Sequence, residues 1–587
     1  MSNAMISILL PAHNEGPRIF QNLQRVSAVA QALLANAWRA HAAAVEIVVI
    51  DDGSTDDTWA EIMRAAAALP MVVPVQLMHN AGKGWALRRG LQLARGSWIF
   101  FIDADLEIGP EHMADLAAVL VNTGVDGVLG SKRAHDGHAH YPWYRRIVSA
   151  SYARLTRTLI PLPVRDTQTG FKLFTRRVLD DVAPRMLVRR YAFDIEMISI
   201  AHRLGYRLAQ CPVQVEFSGK RGSVTIKNIY HMFLDTLAVF YRLRILKYYD
   251  SWRHKDHSQK PRVSVVIAVK NDNPYLRQSV AAVLQQPYAN AEILVLPDQP
   301  ISGFDPRVRV IPTGPELPAI KRNIGAREAT GEIIAFIDDD AYPYGLWLDE
   351  LAANFADASV GAVGGPAVTP PEDTYWQQVS GAVYASLAGS GAYRYRYVYD
   401  RRRDVDDYPT CNLAVRKTTF AAALGFQSNY WPGEDTELCL TITKKLGARI
   451  VYDPQVEVYH HRRSLWRGHF KQVTQYALHR GYFVKKFPET SRRFGYFVPS
   501  LFTLGLLLGW FSWWLWPLWY VYAGVLAVYF VFLALSSFLA GPRFMPATML
   551  GTFLTHIAYG LWFLAGLLAP RLSRREEQQG GTRLQAH

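Results

Sequence analysis

Cysteine is nearly absent from the chain: Cys211, Cys411 and Cys439 are the only three in 587 residues. They lie far apart and without metal-ligand spacing, which excludes a disulfide framework and leaves buried thiols in a reducing compartment. Charge is missing from two long stretches. Between Phe494 and Ala540 there is no Lys, Arg, Asp or Glu, and between Phe544 and Pro570 the one Lys, Arg, His, Asp or Glu is His556. A membrane span takes about 20 apolar residues. The first stretch therefore holds two spans, broken near Trp516-Pro517, and the second a third, which excludes a wholly soluble protein. The same stretches offer little polarity beyond His556, against the ionisable groups that line a transport path. A basic leader is also lacking, since ISILLP at 6–11 runs straight into polar HNE. Residues 1–4, MSNA, read as the remnant of a tag and are set aside.

What is abundant is positive charge, +14 overall, and aromatic residues near the apolar runs, as in WFSWWLWPLWYVY at 510–522. The first feature suits anionic headgroups and nucleotide phosphates better than a nucleic acid polymer beside such runs, and the second an aromatic belt. Orientation raises a conflict. Lys485, Lys486, Arg492 and Arg493 precede the first span and Arg571, Arg574 and Arg575 follow the last, so both flanks favour the cytoplasm. Three crossings cannot satisfy both. Either one segment is re-entrant or interfacial, or the tail bias is overridden. The N-terminal flank, which carries the large soluble mass, sets the expectation of cytoplasmic catalytic domains on a multi-pass inner-membrane protein.

Apolar strands alternate with helical patterns from Met5 to about Lys247, and the order recurs after the polar segment at 251–261. Such alternation predicts mostly parallel sheets with ligands at the carboxyl ends of their strands. Domains are expected at 5–250 and 262–485, with apolar helices at 494–570 and a polar tail at 571–587. The run from Ile226 to Tyr249 has helical spacing among basic residues. Two readings stay open for it, a core helix or an amphipathic helix on the membrane surface.

Chemistry concentrates at strand ends. EIVVIDDGSTDDT at 46–58 delivers Asp51 and Asp52 to a turn, where carboxylates accept hydrogen bonds from a base or a ribose. IFFIDADLEI at 99–108 ends in Asp103 and Asp105, spaced by two so that both point the same way. Two hard oxygen ligands on one face suit Mg²⁺ or Mn²⁺ shared with a diphosphate. AFIDDDAYP at 335–343 repeats this ending with Asp338, Asp339 and Asp340.

These motifs resemble those of family 2 glycosyltransferases with the GT-A fold, present twice in tandem. The resemblance implies an α/β, Rossmann-like fold for each half, a UDP- or GDP-sugar donor and an inverting reaction. In the first half HNE, DDGSTDDT, GKGWALRRG and DADLE resemble the donor site, which implies donor contacts from Pro11, Asn14, Glu15, Asp51, Asp52, Lys83 and Asp103 and metal ligation by Asp103, Asp105 and Glu107. DTQTGFKLF at 166–174, AFDIEM at 192–197 and FSGKRGSVT at 217–225 narrow the likeness to polyprenyl-phosphate and dolichyl-phosphate mannosyl- and glucosyltransferases. A phosphate acceptor is already ionised, needs cations and no strong base, and Arg133, Lys220 and Arg221 are the candidates to hold it.

The second half keeps less of the first acidic turn, with Asp298 alone in LPDQP. Asp298, Asn323 and Asp338 are its implied donor contacts, and Asp338 and Asp340 its metal ligands. GFQSNYWPGEDTELCLTITKKLG at 425–447 resembles the acceptor motif of membrane-bound relatives. A hydroxyl acceptor must lose a proton as it attacks, and Asp435, with Glu434 beside it, is the candidate base. HFKQVTQYALHRG at 469–481 resembles the amphipathic segment over the donor diphosphate but lacks the QxxRW of processive synthases. His460 and His461 in VYHHRRS are expected on opposite faces, in a structural or donor-phosphate role, with His461 outside the site. The expectation is a bifunctional enzyme, polyprenyl phosphate being the first acceptor and a hydroxyl of a lipid-linked or envelope glycan the second. Alternatives are one active half with a lipid- or partner-binding module, and a transporter or scaffold.

Overall fold

The computed structural model describes residues 4–572 apart from 37, 78–79, 81, 133–151, 153, 155, 161, 163, 165, 189–191, 216–225, 251–254, 256, 428–429, 431 and 515. It divides into two compact units, Met1–Trp252 and Arg253–His587.

The first unit is built on β1 (Met5–Ala12), β2 (Ala44–Asp51), β3 (Val72–Gln76), β4 (Trp98–Phe101), β5 (Gly127–Ser131), β6 (Lys172–Thr175) and β7 (Leu208–Pro212). They form one sheet in the order β3-β2-β1-β4-β6-β5-β7. All neighbours are parallel except β6, which is antiparallel to both β4 and β5. The central runs are continuously apolar because helices cover both faces, and Ile6, Ile8, Ile47 and Val49 are fully buried. Register aligns Ala12 with Asp51 and Leu9 with Phe101, so the polar turns after β1, β2 and β4 emerge at one sheet edge. In the 226–249 run Val239 is buried and Arg242 reaches Glu196 at 3.0 Å, while Tyr241 and Ile245 are exposed. The segment thus packs one face and leaves an apolar patch on another.

The second unit contains β8 (Val263–Ala268), β9 (Ala291–Leu296), β10 (Val308–Val310), β11 (Ile333–Asp338), β12 (Ala341–Pro343), β13 (Val360–Gly364), β14 (Ala367–Val368), β15 (Arg403–Val405), β16 (Asn412–Arg416), β17 (Arg449–Tyr452) and β18 (Val458–His460). Its main sheet runs β10-β9-β8-β11-β16-β13-β17-β15. The first seven positions repeat the first unit strand for strand, with β16 in the antiparallel place of β6. A second sheet, β12-β18-β14, stands beside it. Within the expected linker, Lys255 is buried against Glu350 at 2.5 Å and Asp453 at 2.8 Å, so this residue belongs to the second core.

Seven helices bear on the sites: α1 (Lys83–Leu93), α2 (Pro318–Glu328), α3 (Glu434–Leu440), α4 (Phe470–Lys486), α5 (Phe494–Gly509, continued by a 3₁₀ turn to Trp514), α6 (Trp516–Ser537) and α7 (Met545–Leu568). Gly90 of α1 and Gly325 of α2 play equivalent parts, since a Cβ on either would lie 2.6 Å from Ile50 or Val266. Each lets its helix close on the sheet. The helices α5, α6 and α7 are long and apolar enough to cross a membrane.

Candidate active site

In the first unit the two acidic turns are laced together by the protein's own hydrogen bonds. Asp51, fully buried at the end of β2, accepts from the Ser54 N–H at 3.0 Å, closing the turn at Gly53. Asp52 accepts from the Gly82 N–H at 2.9 Å, which sets the start of α1. Asn14 sits in the left-handed region at φ 55° and its side chain accepts from the Thr55 N–H at 2.9 Å. Glu15 donates its N–H to Thr58 Oγ1 at 2.8 Å, and Pro11 pairs with Ile50 in the β1–β2 register. These five expected donor residues therefore share one rim.

Beyond β4, Asp103 forms an ion pair with Lys83. Burial works to raise the Asp103 carboxyl, but Lys83, then Lys172 and Lys132, outweigh it and hold it below the usual carboxylate range. Gly170 of DTQTG explains why that motif follows: a Cβ there would fall 1.9 Å from Asp103 Oδ2. Asp105 is pushed up to about 6, by burial first and then by the charge of Asp103. Asp103 and Asp105 thus stand as two neighbouring carboxylates, one of them held by Lys83. Glu107, expected as a third ligand, does not join them in a common ligand cluster. The chain reverses at Leu106, φ 51°, and Glu107 turns toward Lys132 at 3.9 Å. The acceptor-phosphate candidates Arg133, Lys220 and Arg221 lie outside the described residues. One pair escaped the sequence reading: Lys172 of GFKLF and Asp194 of AFDIEM meet at 2.5 Å, both buried.

The second unit brings its residues together more tightly. Asp298 is neutralised by buried Lys321, which also donates to the Val269 carbonyl at 2.6 Å. Asn323, expected at the donor, instead fixes a loop. Its amide accepts from the Phe426 N–H and donates to the Phe426 carbonyl, each at 2.9 Å. The neighbouring Arg322, not anticipated, is buried and spans Asp338 and Glu434 at 2.8 Å each. A basic pair opening a helix beside strand ends was the available signal.

Asp338, Asp340 and His460 offer ligand atoms all within 4.8 Å of one another, the group among the described residues that fits a metal ion. The small sheet creates it, because β12 pairs with β18 in a register that sets Ala341 opposite His460. His460 Nε2 stands 3.1 Å from Asp340 Oδ1. Burial lowers the imidazole, yet Asp340 prevails and carries it to about 10. His461 faces away, held by Asp373 at 2.5 Å and Gln278 at 2.9 Å. The expected opposite faces are found. The carboxylates beside His460 are distant in sequence, Asp338 ending β11 and Asp340 in the turn that follows it.

Asp435 lies half-buried in the first turn of α3, where Gly433 precedes it at φ 122°. Glu434 is engaged by Arg322, so Asp435 is the carboxylate left for chemistry in that pair. It is pushed up to about 7 by burial, then by the charges of Glu434 and Asp407. Asp407 in turn pairs with Arg480 of α4 at 3.0 Å and accepts from Thr436 at 3.2 Å. Phe483 of α4 closes on Gly433, where a Cβ would lie 2.4 Å from its ring. The amphipathic helix thus sits directly on the acidic helix start.

The model of glycosyl transferase family 2 matches residues 7–183 and 264–421, together more than half of the chain. The chain belongs to glycosyltransferase family 2. The two family 2 matches contain both strand-end acidic groups, and Asp194, Asp435 and His460 lie beyond them. The chain is similar to glycosyltransferase AglD of Haloferax volcanii, 29% identical over 242 residues, covering 41% of this chain and 38% of that protein. It thus spans well under half of that relative's length. It is also similar to a dolichyl-phosphate beta-glucosyltransferase of Dictyostelium discoideum, 28% identical over 38% of this chain and 69% of that protein. Among solved structures it is similar to glucosyl-3-phosphoglycerate synthase from Mycobacterium tuberculosis, with TM-score 0.32 and 23% identity over 40% of this chain and 78% of that one. It is likewise similar to mannosyltransferase PcManGT from Pyrobaculum calidifontis, with TM-score 0.35 and 20% identity over 55% of this chain and 94% of that one.

Proposed function

We propose that this membrane-bound family 2 enzyme performs two inverting sugar transfers from UDP- or GDP-sugars, one in each unit. The first unit passes a hexose to polyprenyl phosphate. Its motifs and the dolichyl-phosphate glucosyltransferase relatives support this acceptor, and an ionised phosphate needs cations such as Arg133, Lys220 and Arg221 rather than a base. The second unit passes a sugar to a hydroxyl of a lipid-linked or envelope glycan. The observation that carries this half is Asp435, a carboxylate raised to about 7 beside the Glu434–Arg322–Asp338 chain.

In the second unit Asp435 takes the proton of the acceptor hydroxyl as its oxygen attacks the anomeric carbon. Direct displacement inverts that carbon. Arg322 keeps Glu434 and Asp338 in place on either side of the reacting centre, and α4 excludes water above it. Asp338, Asp340 and His460 here, and Asp103 and Asp105 in the first unit, would hold Mg²⁺ or Mn²⁺, which would supply positive charge to offset that of the leaving diphosphate. The catalytic domains face the cytoplasm at the inner membrane.

The test is transfer of labelled sugar by the full chain to polyprenyl phosphate and to a lipid-linked glycan, with the anomeric configuration of each product read by NMR. Two inverted products support the reading. A single product that persists in Asp435→Asn with unchanged rate contradicts the second activity.

A further inference from the structure

The helix α7 has the length and apolarity of a span, yet the second unit touches it from one end to the other. At its start Phe544 stacks on Tyr375 with ring centroids 5.2 Å apart. Further in, Gly551 lies against Leu465 and Val383, where a Cβ would meet both at 3.0 Å. Midway, Thr555 hydrogen-bonds His469 and His556 donates to the Ala388 carbonyl, each at 2.9 Å. Beyond that, the backbones touch: a Cβ on Gly481 would lie 2.1 Å from the Phe563 carbonyl oxygen, and one on Gly566 2.0 Å from that of Leu478. Past its end, Lys485 donates to the Ala569 carbonyl at 2.6 Å. Residues 465 to 485 thus meet residues 551 to 569, so from Gly551 onward α7 runs alongside α4 and the turn before it, in the same general direction.

That alignment is incompatible with crossing. The helix α7 is about 36 Å long, as long as a membrane core of about 30 Å is thick. If it stood across the bilayer, α4 would stand across it too, carrying Lys471, Lys485 and Lys486 through the hydrocarbon, which charged side chains avoid unless paired in a bundle or cavity. The faces of α7 agree. Thr548, Gly551, Thr552, Thr555 and Gly566 are small or hydroxyl-bearing and buried, Gly560 packs against Pro499 and Thr503 of α5, and Leu550, Leu561, Trp562 and Leu568 are exposed. The helices α5 and α6 differ: their joining turn carries Trp510, Trp513, Trp514 and Trp516, all exposed. Ser500 and Thr503, midway along α5, bond the α7 carbonyls of Gly560 and His556 at 3.0 and 3.4 Å, and Ser536 near the end of α6 accepts from the Ala388 N–H at 2.8 Å.

We propose that α5 and α6 form a hairpin that crosses the membrane, and that α7 does not cross but lies in the interfacial layer beneath the second unit. Its exposed Leu550, Leu561, Trp562 and Leu568 rest on the lipid of the leaflet on the catalytic side. The chain then has two crossings, and Arg571, Arg574 and Arg575 return to the side of Lys485, Lys486, Arg492 and Arg493. Both basic flanks satisfy the positive-inside bias.

The test labels full-chain protein in sealed vesicles of known orientation with a membrane-impermeant maleimide. Single cysteines replace Glu489 and Ser512 or follow His587; the native Cys211, Cys411 and Cys439 are buried. The proposal predicts that Glu489→Cys and the appended cysteine react from one side and Ser512→Cys from the other. An appended cysteine reacting from the side opposite Glu489→Cys overturns it, even if Ser512→Cys fails to fold. Spin labels at Leu550→Cys and Leu568→Cys should report one shallow depth. A depth gradient across the full bilayer, or spin–spin broadening from a second copy in place of lipid collisions, overturns it.

Discussion

Asp340 meets His460 at 3.1 Å across the pairing of β12 with β18. With Asp338 beside them, this carboxylate and imidazole offer ligand atoms that could hold a metal ion. His460→Ala should weaken Mn²⁺ binding to the second unit by ~10-fold or more, a change of the size that even outer ligand partners produce. Mn²⁺ titration of the full chain in an Asp105→Ala background, followed by electron paramagnetic resonance, checks it. Unchanged affinity would remove His460 from the site.

Asp435 must be deprotonated to accept a proton, and it is pushed up to about 7. Hydroxyl transfer should therefore rise with pH through about 7 and flatten above it. Asp435→Asn should lower kcat by roughly 10²–10⁴-fold, the usual range for a positioned base, with the donor KM little changed. Replacing Asp407 by Asn removes a neighbouring negative charge, so the midpoint of the pH–rate profile should move down. A midpoint that stays put would show that Asp407 does not act on Asp435.

Arg322 offsets two carboxylates inside the protein. Arg322→Met leaves Asp338 and Glu434 facing each other without it, a change that costs about 3–5 kcal/mol when a buried pair is broken. The thermal stability of the second unit should fall and its transfer should be lost, while transfer to polyprenyl phosphate by the first unit persists.

Gly170 makes the opposite separation. With Asp103 Oδ2 only 1.9 Å from the place of a Cβ, Gly170→Ala must displace the carboxylate. Lipid-phosphate transfer should fall and hydroxyl transfer remain, measured with the two acceptors on one preparation.

Much of the fold was legible in the chain because the same device is used twice. An apolar strand ending in acid at Asp51, Asp103 and Asp338 announces a parallel sheet with polar strand ends, and the two sheets do repeat one strand order. The antiparallel β6 and β16 were not legible as such, because each joins its sheet through partners distant in sequence. The same distance hid Arg322 and His460, whose partners come from other elements. The family resemblance grouped Glu107 with Asp103 and Asp105, but after Leu106 at positive φ it turns toward Lys132. The resemblance likewise implied a donor contact at Asn323, whose amide the Phe426 backbone claims. The basic flanks at 485–493 and 571–575 left two alternatives, a segment that does not cross or an overridden tail bias. Apolarity alone could not say which helix stays at the surface, because the glycines and threonines along α7 match it to α4 without making it polar.

The central claim is that two distinct transfers share one chain. Nucleotide release should be followed with a panel of UDP- and GDP-sugars, Mg²⁺ or Mn²⁺ and polyprenyl phosphate, in wild type, Asp105→Ala and Asp340→Ala. If each unit has its own acceptor, lipid-dependent release disappears in Asp105→Ala and survives in Asp340→Ala. Release that is lipid-independent in every protein, or lost equally in both variants, would contradict it.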